Sequence, residues 1–432
     1  MKTGSREACR GQIIVLMAVV LVALLGFVAL AVDGGLIYSD RRNAQNAAAM
    51  AGAGMVAQFL ENQGVIYDNF NCSNPDVVSA MNIAKDHSIA SAIKNNFSID
   101  SDLINKNGVS VTCEVQNTGS FLEQSIFVKV MITVPTNTSF AQLFYTGPVA
   151  NTVEAITRVH PRTNLGFGYA VATLGSDCVT GGISAEGNVN IQTTHGGLFS
   201  NSCMVYSGNV VVQVDDPLES GIRYYSTLTE VGSVDISPTP LQSPIQISPY
   251  FVPPPDCAAL PSYGDVLVDS TAITTIDPGQ YDNLTIEGYA QVIFNPGLYC
   301  FSGDLVITAG QIITGNEVTL YFLDGGFLST ANSTINLTAP VVDRPPAIRG
   351  MLIYAAVDNT STFTITGNSD SLYRGTVYIP AGVINSIGNS SMTGLQSQYI
   401  AKKVTLSGNT DINIEFDGAY NYQIPATLEL YK

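Results

Sequence analysis

Residues Ile13 to Val32 read IIVLMAVVLVALLGFVALAV, with no charged side chain. About 20 apolar residues rising 1.5 Å each match a bilayer core of roughly 30 Å, so the pattern predicts a transmembrane helix. The alanine-rich, proline-free continuation RRNAQNAAAMAGAGMVAQFLEN extends that helix to about Glu61. Ala44, Ala48 and Gly52 recur at four-residue spacing, as do Ala47 and Ala51. Small residues so spaced let helices approach closely. One reading is a helix packed beside copies of itself or related helices; the other is a surface helix of good propensity.

Beyond Gly64 the periodicity shortens. Val77, Val78, Met81, Ile83, Ala84, Ile89 and Ile93 predict a helix over Pro75 to Asn96, capped by Asn74 or Asp76. Alternation predicts strands over Val109–Val115, Ser125–Val134 and Thr152–Val159, with a short helix over Phe140–Tyr145. From about Asn164, short β runs are split by Gly-Asn pairs at 187, 208, 315, 367, 388 and 408, three neighbouring pairs lying 20 or 21 residues apart. Pro278-Gly279-Gln280-Tyr281 returns as Pro296-Gly297-Leu298-Tyr299, and Arg349-Gly350 returns as Arg374-Gly375. A soft period of this length marks stacked coils, none of which buries its apolar face alone.

The expected class is α+β overall: a long N-terminal transmembrane helix, a small αβ domain, and a large all-β right-handed parallel β-helix, with a β-sandwich as the competing reading. The expected division is a cytoplasmic leader 1–12, the span 13–32, a helical extension 33–63, a small αβ stalk domain 64–161, a β-helix 164–418 and a C-terminal cap 419–432. A proline-rich insert at 215–259 is expected as an irregular loop on the surface.

Charge narrows the partners. With 18 Lys+Arg against 35 Asp+Glu, the net charge is −17, which argues against nucleic acid and against lying on an anionic leaflet. Lys2, Arg6 and Arg10 precede the apolar run, placing the N-terminus inside and the bulk outside a single-pass cell membrane. A cleaved signal with Ala29-Leu30-Ala31 as its site is the competing reading, though the run is longer than a usual signal core. Cys9 precedes the run; Cys72, Cys113, Cys178, Cys203, Cys257 and Cys300 follow it. An even set on the far side suggests three disulfides; nearest-neighbour pairing gives 72–113, 178–203 and 257–300, but the connectivity stays open.

The stretch from Arg10-Gly11 through Ala31-Val32-Asp33-Gly34 to Gln45-Asn46-Ala47-Ala48 and Ala51-Gly52-Ala53 resembles the N-terminal segment of TadG-like proteins of the Tad (Flp) pilus-assembly family. That resemblance implies a membrane anchor, a pseudopilin-like αβ domain, and pilus-assembly or pseudopilin-like subunits as partners. Related pseudopilins carry Glu five residues after the leader glycine; Leu16 stands there, implying an anchored accessory component. The C-terminal region more loosely resembles β-helical repeats found behind such N-termini, through its PGxY repeat and Gly-Asn corners.

Candidate chemistry is sparse. His87, His160 and His195 are isolated in sequence, and no Cys/His spacing suggests a metal or other cofactor. Asp215-Asp216 before Pro217 reads as a turn, Lys402-Lys403 face opposite ways along a strand, and Arg349 and Arg374 recur with the repeat and read as structural. Tyr321, Phe322, Tyr354 and Tyr378 read as core. The expected function is that of a non-enzymatic, membrane-anchored extracytoplasmic protein of Tad-type pilus assembly or surface adhesion, in contact with membrane lipid. The alternatives are a tethered polysaccharide-degrading β-helix enzyme and a carbohydrate-binding adhesin for surface glycans, without Trp but with 20 Tyr.

Overall fold

The computed structural model describes residues 10–431, apart from 48, 68, 120, 141–146, 216–220, 309, 330–332, 367, 369 and 389–391. Only the backbone course is described at 10–14, 45–47, 49–52, 386–388, 392–394 and 410–411. The chain opens with helix α1 (Arg10–Ala47), continues in α2 (Ala49–Asn62), and adds α3 (Pro75–Lys94). Asn74 caps α3 by accepting from the Asp76 amide at 2.9 Å, with Pro75 in the first turn where a missing N–H costs nothing. The buried face of α3 is Val77, Ala80, Ala84, Ser88 and Ala92, whereas Val78 and Ile93 point to solvent. Small side chains on that face bring α3 close to α2, which the larger apolar residues would not allow.

Strands β1 (Gly108–Asn117), β2 (Leu122–Thr136) and β3 (Val149–His160) form an antiparallel sheet. Alternate residues of β2, including Ile126, Val128, Val130 and Ile132, face a core shared with Val56 and Leu60 of α2 and Ala80 and Ala84 of α3. Cys72–Cys113 ties the chain before α3 to β1. The expected short helix over Phe140–Tyr145 falls mostly outside the described residues.

The fourth strand of this sheet comes from the other end of the chain. Thr427–Leu430 pairs antiparallel with β3, from Thr427 opposite His160 to Leu430 opposite Thr157. The segment 419–432, expected to cap the last coil, instead returns to the helical domain. Its terminal strand pairs there with the free edge of β3. Glu61 of α2 accepts from the Ala426 amide at 3.1 Å, and Arg158 of β3 is paired with both Glu123 and Glu429. The whole β domain is therefore an insertion between two neighbouring strands of one sheet.

That β domain is a parallel β-solenoid of about ten coils. Its coils are not stacked in chain order. The first three run over 169–194, 197–215 and 222–242, each pairing parallel with the one before. The chain then crosses to the opposite end and restarts at Ser262–Val268. Successive coils wind back until Met392–Glu415 docks on Gly182–Thr194. There Lys403 to Glu415 pairs residue by residue with Gly182 to Thr194. The inward ladder Ile412, Ile191 and Val212 runs through this joint without a break and is fully buried.

Gly187, Gly208 and Gly408 lie within continuous strands rather than in loops, Gly315 and Gly388 each end a strand, and 367 lies outside the described residues. Gly388, Gly408, Gly187, Gly208 and Gly232 stand on one another as successive rungs. Gly208 has φ +104°, and a Cβ there would lie 2.5 Å from the Gly187 carbonyl oxygen. Both the positive φ and the close approach of the next backbone exclude a side chain. The companion asparagines stack too: Asn188 Nδ2 donates to Asn409 Oδ1 at 2.8 Å.

The expected insert 215–259 is a correction in part: Ile222–Tyr224, Leu228–Ser237 and Leu241–Gln242 form a full coil. Only the following stretch to about Leu260 is an irregular strap. Proline removes the amides a further strand would need, so this segment crosses the coils instead of extending them. Ile247 and Val252 are buried against Phe199, Met351, Tyr354 and Tyr378. Asn201 holds the Ile247 amide and carbonyl, each at 2.7 Å, and the Tyr354 and Tyr378 hydroxyls donate to the Val252 and Tyr250 carbonyls. Cys257–Cys300 fastens the strap near the restart, and Cys178–Cys203 closes a loop beside the joint. The three disulfides are thus those of nearest neighbours.

Replacing Gly208 by Ala should destabilise the solenoid by about 2–3 kcal/mol through left-handed strain and overlap. Denaturant unfolding against a Ser207→Ala control measures it; equal midpoints would refute the glycine ladder as a steric requirement. The tail strand should depend on pH. Glu429 is held below its usual 4.5 by the hydrogen bond from Arg158, with the charges of Arg158 and His160 assisting. A lowered carboxylate stabilises above about 4.5, and that contribution is lost as pH falls through the folded value. Hydrogen-exchange protection over Thr427–Leu430 should therefore fall on acidification to pH about 3, and fall less in Glu429→Gln.

Candidate membrane anchor and junction clefts

Val15–Ala44 is, among the described residues, one helical segment long and apolar enough to cross a membrane. The large apolar side chains of its first part lie open: Phe27 is 73% exposed and Leu30 76%. Such a stripe, apolar on every side, has no soluble counterpart on this protein to cover it. The expected anchor ends at Val32, which is exposed; the side chain of Ile13, at the other end, lies outside the described residues.

Immediately past the apolar run the helix acquires a dock. Asp33 is only 7% exposed and accepts from the backbone amides of Ser139 at 2.7 Å and Phe140 at 3.1 Å. About two turns further on, Asp40 accepts from the Thr136 hydroxyl at 2.8 Å. Two carboxylates thus bind the end of β2 and the loop after it. They fix the sheet at the end of the apolar segment. Ala44 is buried in the domain's own core with Ala53 and Val56. The face expected for packing against another helix is therefore used at Ala44 within the chain. Of its companions, Ala48 lies outside the described residues, and Gly52 has only its backbone described.

His87 and His195 are exposed and far apart in the chain, while His160 stands at the junction of the two domains. His160 Nδ1 lies 3.1 Å from the Gln124 carbonyl and 3.2 Å from Ser125 Oγ, and Nε2 lies 3.6 Å from Glu429. A ring nitrogen facing a carbonyl must carry the proton, so Nδ1 donates and cannot take a proton from Ser125. The arrangement orients the ring beside the tail strand. Sequence spacing gave no hint of it, because Ser125, His160 and Glu429 meet only through strand pairing. A cleft of about 330 Å³ opens beside it, walled by Tyr67, Phe121, Phe167 and Tyr250, with the Phe121 and Phe167 rings stacked at 4.3 Å.

A second cleft at the same junction measures about 350 Å³ and is lined by Arg162, Arg344, Arg349 and Gln423 among others. Arg349 Nε donates to the Val341 carbonyl at 2.9 Å. Its repeat counterpart Arg374 donates to Gln396 at 2.7 Å and lies 4.6 Å from the centre of the Tyr420 ring, a bracing role. Asp215 ends a strand, where its backbone carbonyl accepts from the His195 amide, while 216 and 217 lie outside the described residues. Lys403 reaches the Val179 carbonyl at 3.5 Å. Tyr321, Phe322, Tyr354 and Tyr378 are buried, and burial pushes the three phenols up. Among the described residues no group of three His, Cys, Asp or Glu is placed to hold a metal ion.

Asp33→Ala should free the loop it binds while leaving the fold in place. Loss of a charged acceptor costs about 2 kcal/mol, so exchange of the Ser139 and Phe140 amides should quicken roughly thirty-fold. Unchanged exchange would show that Asp33 does not dock the sheet.

Comparison with curated proteins and with solved structures returns no match. Residues 11–53, covering the apolar helix, Asp33, Asp40 and Ala44, match the family described as Putative Flp pilus-assembly TadE/G-like.

Proposed function

We propose that this protein is a non-enzymatic, membrane-anchored component of Tad-type pilus assembly that carries its solenoid outside the cytoplasm. The observation that supports it most is the continuity of α1. One helix contains both the exposed apolar span and the carboxylates that dock the sheet, and the family match covers both. The basic leader favours an internal N-terminus, and three disulfides favour an oxidising exterior for the rest. In the finer reading, the helices on their antiparallel sheet form a pseudopilin-like stalk, and the solenoid is right-handed, the hand usual for parallel crossovers. Its partners are membrane lipid and other pilus-assembly subunits; the acidic surface disfavours nucleic acid.

A structural role also fits how the solenoid uses its carboxylates. Asp265 accepts from Asn283, Asp282 from Ser302, and Asp304 from the Gly326 amide, each at 2.8 Å. These acids brace adjacent coils.

Protease treatment of intact cells, followed by immunoblotting with tags at either end, tests the topology. The C-terminal tag should be lost and the N-terminal tag retained in the membrane fraction. A soluble cytosolic protein with all thiols free would sink the proposal. Deleting the gene should reduce pili counted by electron microscopy; undiminished piliation would remove the assembly role.

A further inference from the structure

The solenoid has two ends, and they are finished differently. At the restart, the end strand Ser262–Val268 follows Pro261 and carries register shifts on either side of Gly264. Proline and bulges of this kind blunt an edge against further pairing. The inward residues Val268 and Ile276 are only 6% exposed there. At the other end, Leu228–Ser237 pairs residue by residue with Met204–Gln213, with no shift and no internal proline. The coil 222–242 closes the stack on that side, and among the described residues no strand pairs with its outer edge.

This open end has a definite chemistry. Leu228, Glu230, Gly232, Val234 and Ile236 stand on Met204, Tyr206, Gly208, Val210 and Val212, the inward positions of the coil beneath. Met204, Tyr206, Val210 and Val212 are fully buried, whereas Leu228, Val234 and Ile236 are half-exposed and Glu230 is exposed. A core-facing ladder thus stops at three apolar groups and one carboxylate. The backbone is equally open. Met204 donates its amide to the Thr227 carbonyl, so by alternation the amides of Leu228, Glu230, Gly232, Val234 and Ile236 turn to the free side. Glu230 has no ion pair among the described residues. Arg223, the base of this coil, lies on the separate strand Ile222–Tyr224.

A second copy does not complete this end. Neither Leu228–Ser237 nor Ser262–Val268 contains a lysine or arginine. Copies stacked by either end would cover Glu230 with no base opposite it, and burying a charge without a partner is costly. What completes the ladder is a strand with a base over Glu230, a small residue over Gly232, and apolar groups over Leu228, Val234 and Ile236.

We infer that Leu228–Ser237 is a docking edge for an extended segment of a partner protein, which adds as a further strand and sets a lysine or arginine against Glu230. Main-chain hydrogen bonds give such strand addition its affinity, and alternate side chains give its specificity.

Fluorescence anisotropy on the full chain in detergent micelles, with empty micelles as blank, tests it. The probe is a labelled peptide copying Met204–Asp215 with Tyr206→Lys, which continues the stack with its lysine over Glu230; the comparison peptide carries Tyr206→Gln. The lysine peptide should bind saturably, and the glutamine peptide at least tenfold more weakly. Glu230→Gln in the chain should erase that difference, and Glu230→Lys should transfer the preference to a Tyr206→Glu peptide. In the unaltered chain, bound lysine peptide should slow hydrogen exchange of the Glu230 and Val234 amides at least tenfold, a readout that needs no variant to fold. Absence of saturable binding overturns the proposal, as does equal binding of the lysine and glutamine peptides. Stronger binding of both peptides by Glu230→Gln also overturns it, showing that the carboxylate only keeps strands away. So does dimerisation of the unaltered chain, seen by sedimentation, that protects the same amides, since the occupant is then a second copy. None of these outcomes bears on membrane topology or piliation, so the assembly role stands or falls separately.

Discussion

The parallel ladder between Lys403–Glu415 and Gly182–Thr194 is the contact on which the architecture rests. It joins two stacks of coils made from separate parts of the chain. Without it, the first three coils and the later ones would each expose an apolar end. With it, one hydrophobic interior runs from end to end. The joint is in register because both sides carry the same Gly-Asn step, so the backbones bend together. No special interface was needed; a coil end accepts any coil of matching shape.

Every other feature accommodates the chain order this joint demands. After the third coil, the chain has to travel the length of the stack before it can wind back. The proline-rich strap makes that journey, held by Asn201, by tyrosine hydroxyls and by the Cys257–Cys300 bridge. Because the last coil ends beside the first, the chain leaves the solenoid close to where it entered. The tail can then pair with β3, and Glu61 and Arg158 can hold it there.

Much of this was legible in the sequence, and for identifiable reasons. The apolar run is read by length alone, and the small sheet by alternation. The 20-residue period shows directly as Gly187 on Gly208 and Gly388 on Gly408. The contact of Gly408 with Gly187 was not legible, because periodicity reports which coils are alike and not which are adjacent. Likewise, 222–242 reads as part of a loop because Pro238 and Pro240 lie within it and five more prolines follow by 255. The tail looked like a cap because nothing in TLEL distinguishes one free sheet edge from another. At the clefts, Arg162, Arg349 and Gln423 are far apart in sequence and are brought together only by the insertion itself.

The two-strand connection between the domains has a mechanical consequence. A domain hung on a single linker swivels, and its orientation is lost within a few residues. Here the solenoid is mounted on a clevis: one arm is β3, the other is the antiparallel strand beside it. Torque applied to the outer end cannot dissipate by rotation about one bond. It is transmitted to the sheet, and from the sheet through Asp33 and Asp40 to the apolar helix. The long axis of the solenoid is therefore set relative to the apolar helix by hydrogen-bonded strands, as a rigid arm rather than a tethered float.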